Sequence, residues 1–239
     1  MPKAASSNSA LDLYAKVEDL LGVKEAAPAL YAHYFHFLNS ITFDSILDVG
    51  CGSGDFLLQA KRIFAPQKLL GIDLSPVMVA ESVKKGIPAQ AIDLCKLDDI
   101  FDVITAVFDM LNYLDKPQLE RLLFCVEAQL KPGGYFLCDI NTLYGFEEVA
   151  VGSFIVDDDN RFLTIDSDFV DGVYASEFTL FEKEVDGRYR KSQGIIEQYY
   201  HTVEMIETSL SGMKLVATDD ILLYGDRVDK NFLVFQKRG

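Results

Sequence analysis

Between Ser45 and Ile140, short β-branched apolar runs alternate with helix-like segments, and this feature narrows the available folds more than any other. The runs read SILDV, LLGI, AQAI, DVITAVF and YFLCDI. Strands joined through helical crossovers pair in parallel and are covered on both faces, which predicts an α/β fold built on βαβ units. Phe56, Ala60, Ile63 and Phe64 recur at helical spacing, with Pro66 as the limit of that helix. Ser75 reads as an N-cap with Pro76 at the first helical position, and Gly86 closes the segment. Leu119 to Leu130 is amphipathic and is expected to stop at Lys131-Pro132-Gly133-Gly134.

After Asn141 the pattern changes. Phe154 to Tyr200 is strand upon strand, divided by polar turns at Asp157-Asp158-Asp159-Asn160 and Asp186-Gly187. Leu163, Ile165 and Phe169 alternate with polar neighbours, as do Tyr174, Phe178 and Leu180, so an antiparallel sheet with one covered face is predicted. Val203 to Leu210 reads as a helix stopped by Gly212, and strands near 215–223 and 231–237 are placed to rejoin the main sheet. Leu11 to Leu38 reads as helices rich in tyrosine, histidine and phenylalanine.

A formal net charge of −15 opposes nucleic acid phosphates and anionic lipid, so neither is expected as a partner. The opening residues lack the apolar core of a secretory signal, and no apolar run approaches the roughly 20 residues that cross a bilayer. The cysteines Cys51, Cys95, Cys125 and Cys138 are dispersed without a C-x-x-C pair, as expected of free thiols packed as small hydrophobes in a reducing cytoplasm. With only three histidines besides, no metal site is expected.

Gly50, Gly52 and Gly54 occupy every second position directly after the first strand, where an open α/β sheet binds its ligand. Glycine removes the side chain that would hold a ligand away from main-chain N–H groups. A dinucleotide fingerprint fails here, because the sixth position from Gly50 is Asp55 and from Gly52 is Leu57. Asp48 and Asp55 would repel a pyrophosphate and attract a cation, such as S-adenosylmethionine with its sulfonium and ammonium. Asp73 ends the second strand, where an ionised carboxylate accepts from two ribose hydroxyls at once.

Asp48-Val49-Gly50-Cys51-Gly52-Ser53-Gly54 resembles the first motif of the class I S-adenosylmethionine-dependent methyltransferases, and the likeness runs from about Ser45 to Asn141. It implies a Rossmann-like, doubly wound and mostly parallel sheet that binds S-adenosylmethionine. It also implies cofactor contacts from Tyr14, Asp48, Gly50, Cys51, Gly52, Asp73, Leu74, Met78, Asp93, Leu94 and Phe108. Met78 would pack on adenine, Asp93 would accept from the exocyclic amine, and Phe108-Asp109-Met110-Leu111-Asn112-Tyr113 would line the site between cofactor and substrate.

The strand-rich insert, with Asn112-Tyr113, Asp139-Ile140-Asn141 and Lys230-Asn231-Phe232, resembles small bacterial and archaeal members in which an antiparallel sheet inserted after the fifth strand covers the active site. The expected organisation is an N-terminal helical segment (1–40), a cofactor domain (41–141 and 202–239) and an inserted β lid (142–201). Such proteins often carry two tyrosines where this chain has Leu11 and Glu18, while Tyr14, Ala15, Asp12 and Asp19 keep the pattern. Tyr113, Asn141, Tyr199 and His201 are the candidates for steering an acceptor. Methyl transfer needs alignment more than a base, since orientation supplies roughly 7–11 kcal/mol against about 3–5 for a general base. The expected activity is transfer to nitrogen or oxygen of a small molecule, in a chain for which homodimerisation is left open. The rivals are a nicotinamide-dependent oxidoreductase and a non-catalytic S-adenosylmethionine-binding interaction protein.

Overall fold

The computed structural model describes residues 13–239, so Leu11 and Asp12 of the N-terminal pattern lie outside the described residues. Helical turns over 13–20 lead into helix α1 (Val23–Leu38). The βαβ run then follows as β1 (Ser45–Val49), α2 (Asp55–Phe64), β2 (Lys68–Asp73), α3 (Pro76–Lys84), β3 (Ala89–Ala91), β4 (Phe101–Ala106), α4 (Lys116–Gln129) and β5 (Leu130–Asn141). Helix α5 (Val203–Ser209) and strands β10 (Met213–Ile221) and β11 (Lys230–Lys237) close the chain. The seven strands lie in the order β10-β11-β5-β4-β1-β2-β3. Strands β1 to β5 pair in parallel, and β11 runs antiparallel to both β5 and β10.

Adjacent residues on each central strand feed opposite faces, as strand geometry requires. Ile46, Val103, Leu137 and Val234 pack with α1 and α2, whereas Leu47, Ile104, Phe136 and Leu233 pack with α4 and α5. Each such side chain taken fully out of water is worth about 1.5–3 kcal/mol. The sheet is therefore the common wall of two cores.

The start of α4 lies three residues before the expected one. Asp115 accepts from the Gln118 N–H at 2.9 Å while the Gln118 side chain accepts from the Asp115 N–H at 3.1 Å, a reciprocal cap that fixes the helix start ahead of its apolar stripe. Lys131-Pro132-Gly133-Gly134 ends the helix as expected but lies within β5, where pairing with β4 shifts between Phe101 and Val103. The thiol expectation fails for two residues, since Cys95 and Cys125, 30 residues apart, form a disulfide, while Cys51 and Cys138 are free and buried. No described helix is long and apolar enough to cross a membrane.

The insert is a separate four-stranded antiparallel sheet of β6 (Gly152–Asp157), β7 (Arg161–Val170), β8 (Val173–Lys183) and β9 (Tyr189–Tyr199). Leu163 and Ile165, Phe178 and Leu180, and Ile196 form its inner face and pack on Leu13 and Val17. Arg161 holds Asp19 through two hydrogen bonds of 2.9 and 2.7 Å, tying the same N-terminal turn to β7.

Candidate functional site

The glycine turn is built by positive φ values of 71° at Gly50, 51° at Gly52 and 79° at Gly54, a region costly for any residue with a Cβ. The three glycines are needed for different reasons. A Cβ on Gly50 would stand 2.5 Å from Met110 Cγ, and one on Gly54 would stand 2.3 Å from Ser82 Oγ. A Cβ on Gly52 would meet nothing within 4 Å, so that position faces open space.

The turn spends its own donors internally, against the expectation that its N–H groups face a ligand. Gly50 and Cys51 N–H both donate to the Ile72 carbonyl, at 2.8 and 2.9 Å, and Gly54 N–H donates to the Cys51 carbonyl at 2.9 Å. Gly52 N–H donates to Asp73 Oδ2 at 3.0 Å. A ligand laid on this turn meets bare Cα surface and carbonyl oxygen, a surface for cations and not for phosphate. The Gly52–Asp73 bond also joins the tips of β1 and β2. Asp73 is fixed from the other side by Ser75 N–H at 2.8 Å, and burial pushes its carboxyl above the usual range against these donors.

The other predicted cofactor residues take varied places. Leu74 is 60% exposed beside Asp73, and Met78 is half-buried one turn into α3. Asp48 is buried under the turn, accepting from Thr105 Oγ1 at 2.6 Å. Burial pushes its pKa up to about 7, with Thr105 opposing and the charges of Asp73 and Asp139 adding. Asp55, expected to draw a cation, is paired with Lys85 at 2.6 Å. The Cys51 side chain packs beneath the turn, where a Cβ on Gly71 would lie 2.6 Å from its Sγ. Asp93 caps the turn at Leu94–Lys96 and pairs with Arg121 at 2.9 Å; burial raises its pKa, but the Cys95 N–H and Arg121 bring it below the usual range. The Leu94 side chain lies in the core, not on the cleft.

Strand β4 ends in a turn where Phe108 and Asp109 both adopt left-handed φ, 59° and 47°. For residues with a Cβ such conformations cost on the order of 1–3 kcal/mol each and need outside support. Asp139, fully buried on β5, supplies it: its two oxygens accept the N–H groups of Phe108 and Asp109, each at 2.8 Å, while Tyr34 donates to Oδ1 at 2.6 Å. Lys230, 2% exposed at the start of β11, lies 3.6 Å from Asp139, donates to Asn141 Oδ1 at 2.7 Å and pairs closely with Asp109. Burial alone would lower the Lys230 pKa, but Asp109 and Asp139 more than reverse this and keep the ammonium charged. Asp139 is raised by burial, with Lys230 opposing.

Above this turn a cavity of about 580 Å³ lies between the main sheet and the inserted one. Tyr14, Phe108, Asp109, Tyr113, Asn141 and Lys230 line it from below, and Ser167, Ser176, Phe178, Ile196 and Gln198 line it from the insert. Gln198 Nε2 donates to Asp109 Oδ2 at 2.5 Å, joining the two walls. A second recess of about 560 Å³, beside Cys95, Ile100 and Phe124, contains none of the residues expected to bind the cofactor or to steer the acceptor.

Two of the four acceptor-steering candidates, Tyr113 and Asn141, line the cavity; two do not. Tyr199 donates its hydroxyl to Glu197 at 3.0 Å on an exposed face, because alternation along β9 turns Ile196 and Gln198 inward and Glu197 and Tyr199 outward. His201 is buried, with Nε2 2.9 Å from the Leu114 carbonyl and its pKa lowered by burial, so it secures the segment after β4 instead of facing an acceptor. The residues missed individually were Lys230, Asp139 and Gln198. Lys230 stands opposite Asn141 only through the antiparallel β5–β11 register, which also sets Phe232 opposite Asp139.

The methyltransferase-domain family profile matches residues 46–134. A demethylmenaquinone methyltransferase of Symbiobacterium thermophilum is 37% identical over 107 residues, which is 40% of this chain and 41% of that relative. Among solved structures, an S-adenosylmethionine-dependent methyltransferase from Clostridium acetobutylicum superposes with a TM-score of 0.76 at 23% identity, covering 95% of this chain and 100% of its own. The sugar N-methyltransferase KedS8 from a Streptoalloteichus species superposes with a TM-score of 0.67 at 19% identity, covering 99% of this chain and 89% of its own. The fold is that of the Rossmann-like methyltransferases, an open parallel sheet with a cation-compatible glycine turn at its carboxyl edge. Residues 46–134 thus match a methyltransferase domain set in the fold of the S-adenosylmethionine-dependent methyltransferases, and S-adenosylmethionine is the cofactor that a solved neighbour of this fold holds. The open space at Gly52, the fixed Asp73 carboxylate and the exposed Leu74 fit that cofactor.

Proposed function

We propose that this chain transfers a methyl group from S-adenosylmethionine to nitrogen or oxygen of a small molecule held beneath the inserted sheet. The observation that carries this reading is the shared turn after β4. Its Met110 packs against Gly50 on the cofactor side, while its Phe108 and Asp109 line the cavity on the other. Donor and acceptor sites thus meet across three consecutive residues. The bound donor supplies a methyl carbon made electrophilic by a positive sulfur.

The protein's own part is binding, alignment and exclusion of water. Asp73 receives the ribose, Leu74 and Met78 receive adenine with Asp93 at its edge, and the glycine turn carries the methionine portion. Phe108 separates the two sites, and Tyr113 and Asn141 steer the acceptor. The inserted sheet closes the cavity from above and so favours orientation, the largest contribution in a displacement of this kind. The names of structural neighbours that act on sugar nitrogen are consistent with such an acceptor. The net charge of −15 supports a small-molecule acceptor over nucleic acid or membrane. A cytoplasmic location and, where association occurs, a homodimer complete the proposal.

The test has two parts on one preparation. Calorimetric titration with S-adenosylhomocysteine should give saturable binding and NADH none. A labelled-methyl screen over a metabolite pool should then give a labelled small product. Absence of S-adenosylhomocysteine binding would overturn the reading, and binding with no transfer to any pool would favour a binding protein that uses the site without catalysis.

A further inference from the structure

We infer that the cavity selects a compact amine that binds as its ammonium and gives up one proton to solvent before its nitrogen lone pair takes the methyl group, and that it rejects acceptors bearing a carboxylate, with Asp109 as the anchor and the rings of Tyr14, Tyr113 and Tyr224 around it. The inference rests on the methyltransferase reading above and narrows its acceptor. Three features of the cavity carry it.

The first is charge. Among the described residues lining the cavity, Lys230 is the only basic side chain, and its ammonium is already held by Asp109 and Asn141 above a buried Asp139. Asp229 also lines the cavity, accepting the main-chain N–H groups of Leu223, Tyr224 and Gly225 at 2.9, 2.5 and 2.8 Å. The cavity lining therefore holds two acids, Asp109 and Asp229, against one base, and that base is already paired with Asp109 over the buried Asp139. A second anion would be repelled there and a cation drawn in.

The second is unused capacity at Asp109. Lys230 occupies Oδ1 and Gln198 occupies Oδ2, yet a carboxylate offers about four lone-pair sites. Its left-handed backbone, fixed by Asp139, aims the side chain into the cavity between the two sheets. The third is the aromatic surround. Tyr14, Tyr113 and Tyr224 all line the same cavity, and the Asp109 charge is felt at each of the three phenols, helping to raise their pKa values behind the larger effect of burial. Ring faces beside a carboxylate are the combination that holds alkylammonium groups.

The probes are cyclohexylamine, a cation at pH 7, its neutral isostere cyclohexanol, and cyclohexanecarboxylate. Each is titrated into the chain saturated with S-adenosylhomocysteine. The amine should bind at least about tenfold more tightly than the alcohol, as expected for a charged hydrogen bond, and the carboxylate more weakly than either. Asp109→Asn should abolish the amine preference while S-adenosylhomocysteine binding persists. Tyr224→Leu, at a half-exposed position that does not threaten folding, should weaken the amine several-fold and leave the alcohol unchanged. Equal binding of amine and alcohol, no amine binding, or an amine preference that survives Asp109→Asn would overturn the inference. Failure to bind S-adenosylhomocysteine in the unmutated chain would instead sink the methyltransferase reading, so the two failures are distinguishable.

Discussion

Gly52 and Gly54 stand two residues apart at similar φ, yet substitution should separate their roles. Gly52→Ala meets no protein atom, so its stability cost is limited to the left-handed backbone, about 1–2 kcal/mol, while its Cβ enters the open space proposed to receive the cofactor. Gly54→Ala drives a Cβ into Ser82 of α3 and should cost more in unfolding by urea than in cofactor binding per folded molecule. Asp73→Ala removes the carboxylate proposed to accept the ribose hydroxyls, and S-adenosylhomocysteine affinity should fall at least tenfold, about 1.4 kcal/mol, with the far-ultraviolet circular dichroism unchanged. An unchanged affinity would show that the carboxylate serves only the Gly52 and Ser75 N–H groups. For Asp48 the sign runs opposite to that of a salt-bridged acid. Its folded pKa of about 7 lies above the unfolded ~3.9, so the folded state binds the proton more tightly. The stability it contributes is present below pH ~4 and is lost as pH rises through ~7, at most about 4 kcal/mol. Asp48→Asn should therefore be more stable than the parent at pH 8, with the difference shrinking at pH 5, as urea midpoints will record.

At the scale of elements, the turn after β4 is held by the neighbouring strand β5, and its strain is borne by one buried carboxylate. Asp139→Ala should destabilise by about 3–5 kcal/mol, because it strips two N–H groups of their acceptor and leaves Lys230 short of a counter-charge. The disulfide is the second device of this kind. It clips the turn at Leu94–Lys96 to α4, and reduction should cost roughly 2–4 kcal/mol in denaturant unfolding, typical for a loop of 30 residues. These features show what a linear reading reaches. The Gly52–Asp73 meeting was legible because parallel neighbours in a βαβ unit bring successive strand tips together. The Lys230 network was not, since nothing local in Lys230-Asn231-Phe232 states which strand β11 will pair with or in what register. Tyr199 failed for a related reason: one residue of parity decides between facing in and facing out, and the sequence has both Gln198 and Tyr199 to offer. The disulfide stayed hidden because 30 residues of intervening chain carry no sign that the Leu94–Lys96 turn docks on α4.

Across the whole molecule, charge acts over the longest range. At −15 the folded chain repels itself, so its melting temperature should rise as ionic strength goes from about 10 to about 150 mM, where the Debye length shortens from ~30 to ~8 Å. A flat response would mean that local pairs such as Asp55–Lys85 and Asp102–Lys131 already neutralise the field. The inserted sheet leaves and re-enters the main body at nearly one point, since the rings of Phe146 before it and Tyr200 after it are centred 6.5 Å apart. An element attached through so narrow a neck is interchangeable in principle. Lineages sharing this scaffold could exchange one ceiling for another, and so take on new customers, while leaving the nucleoside seat untouched.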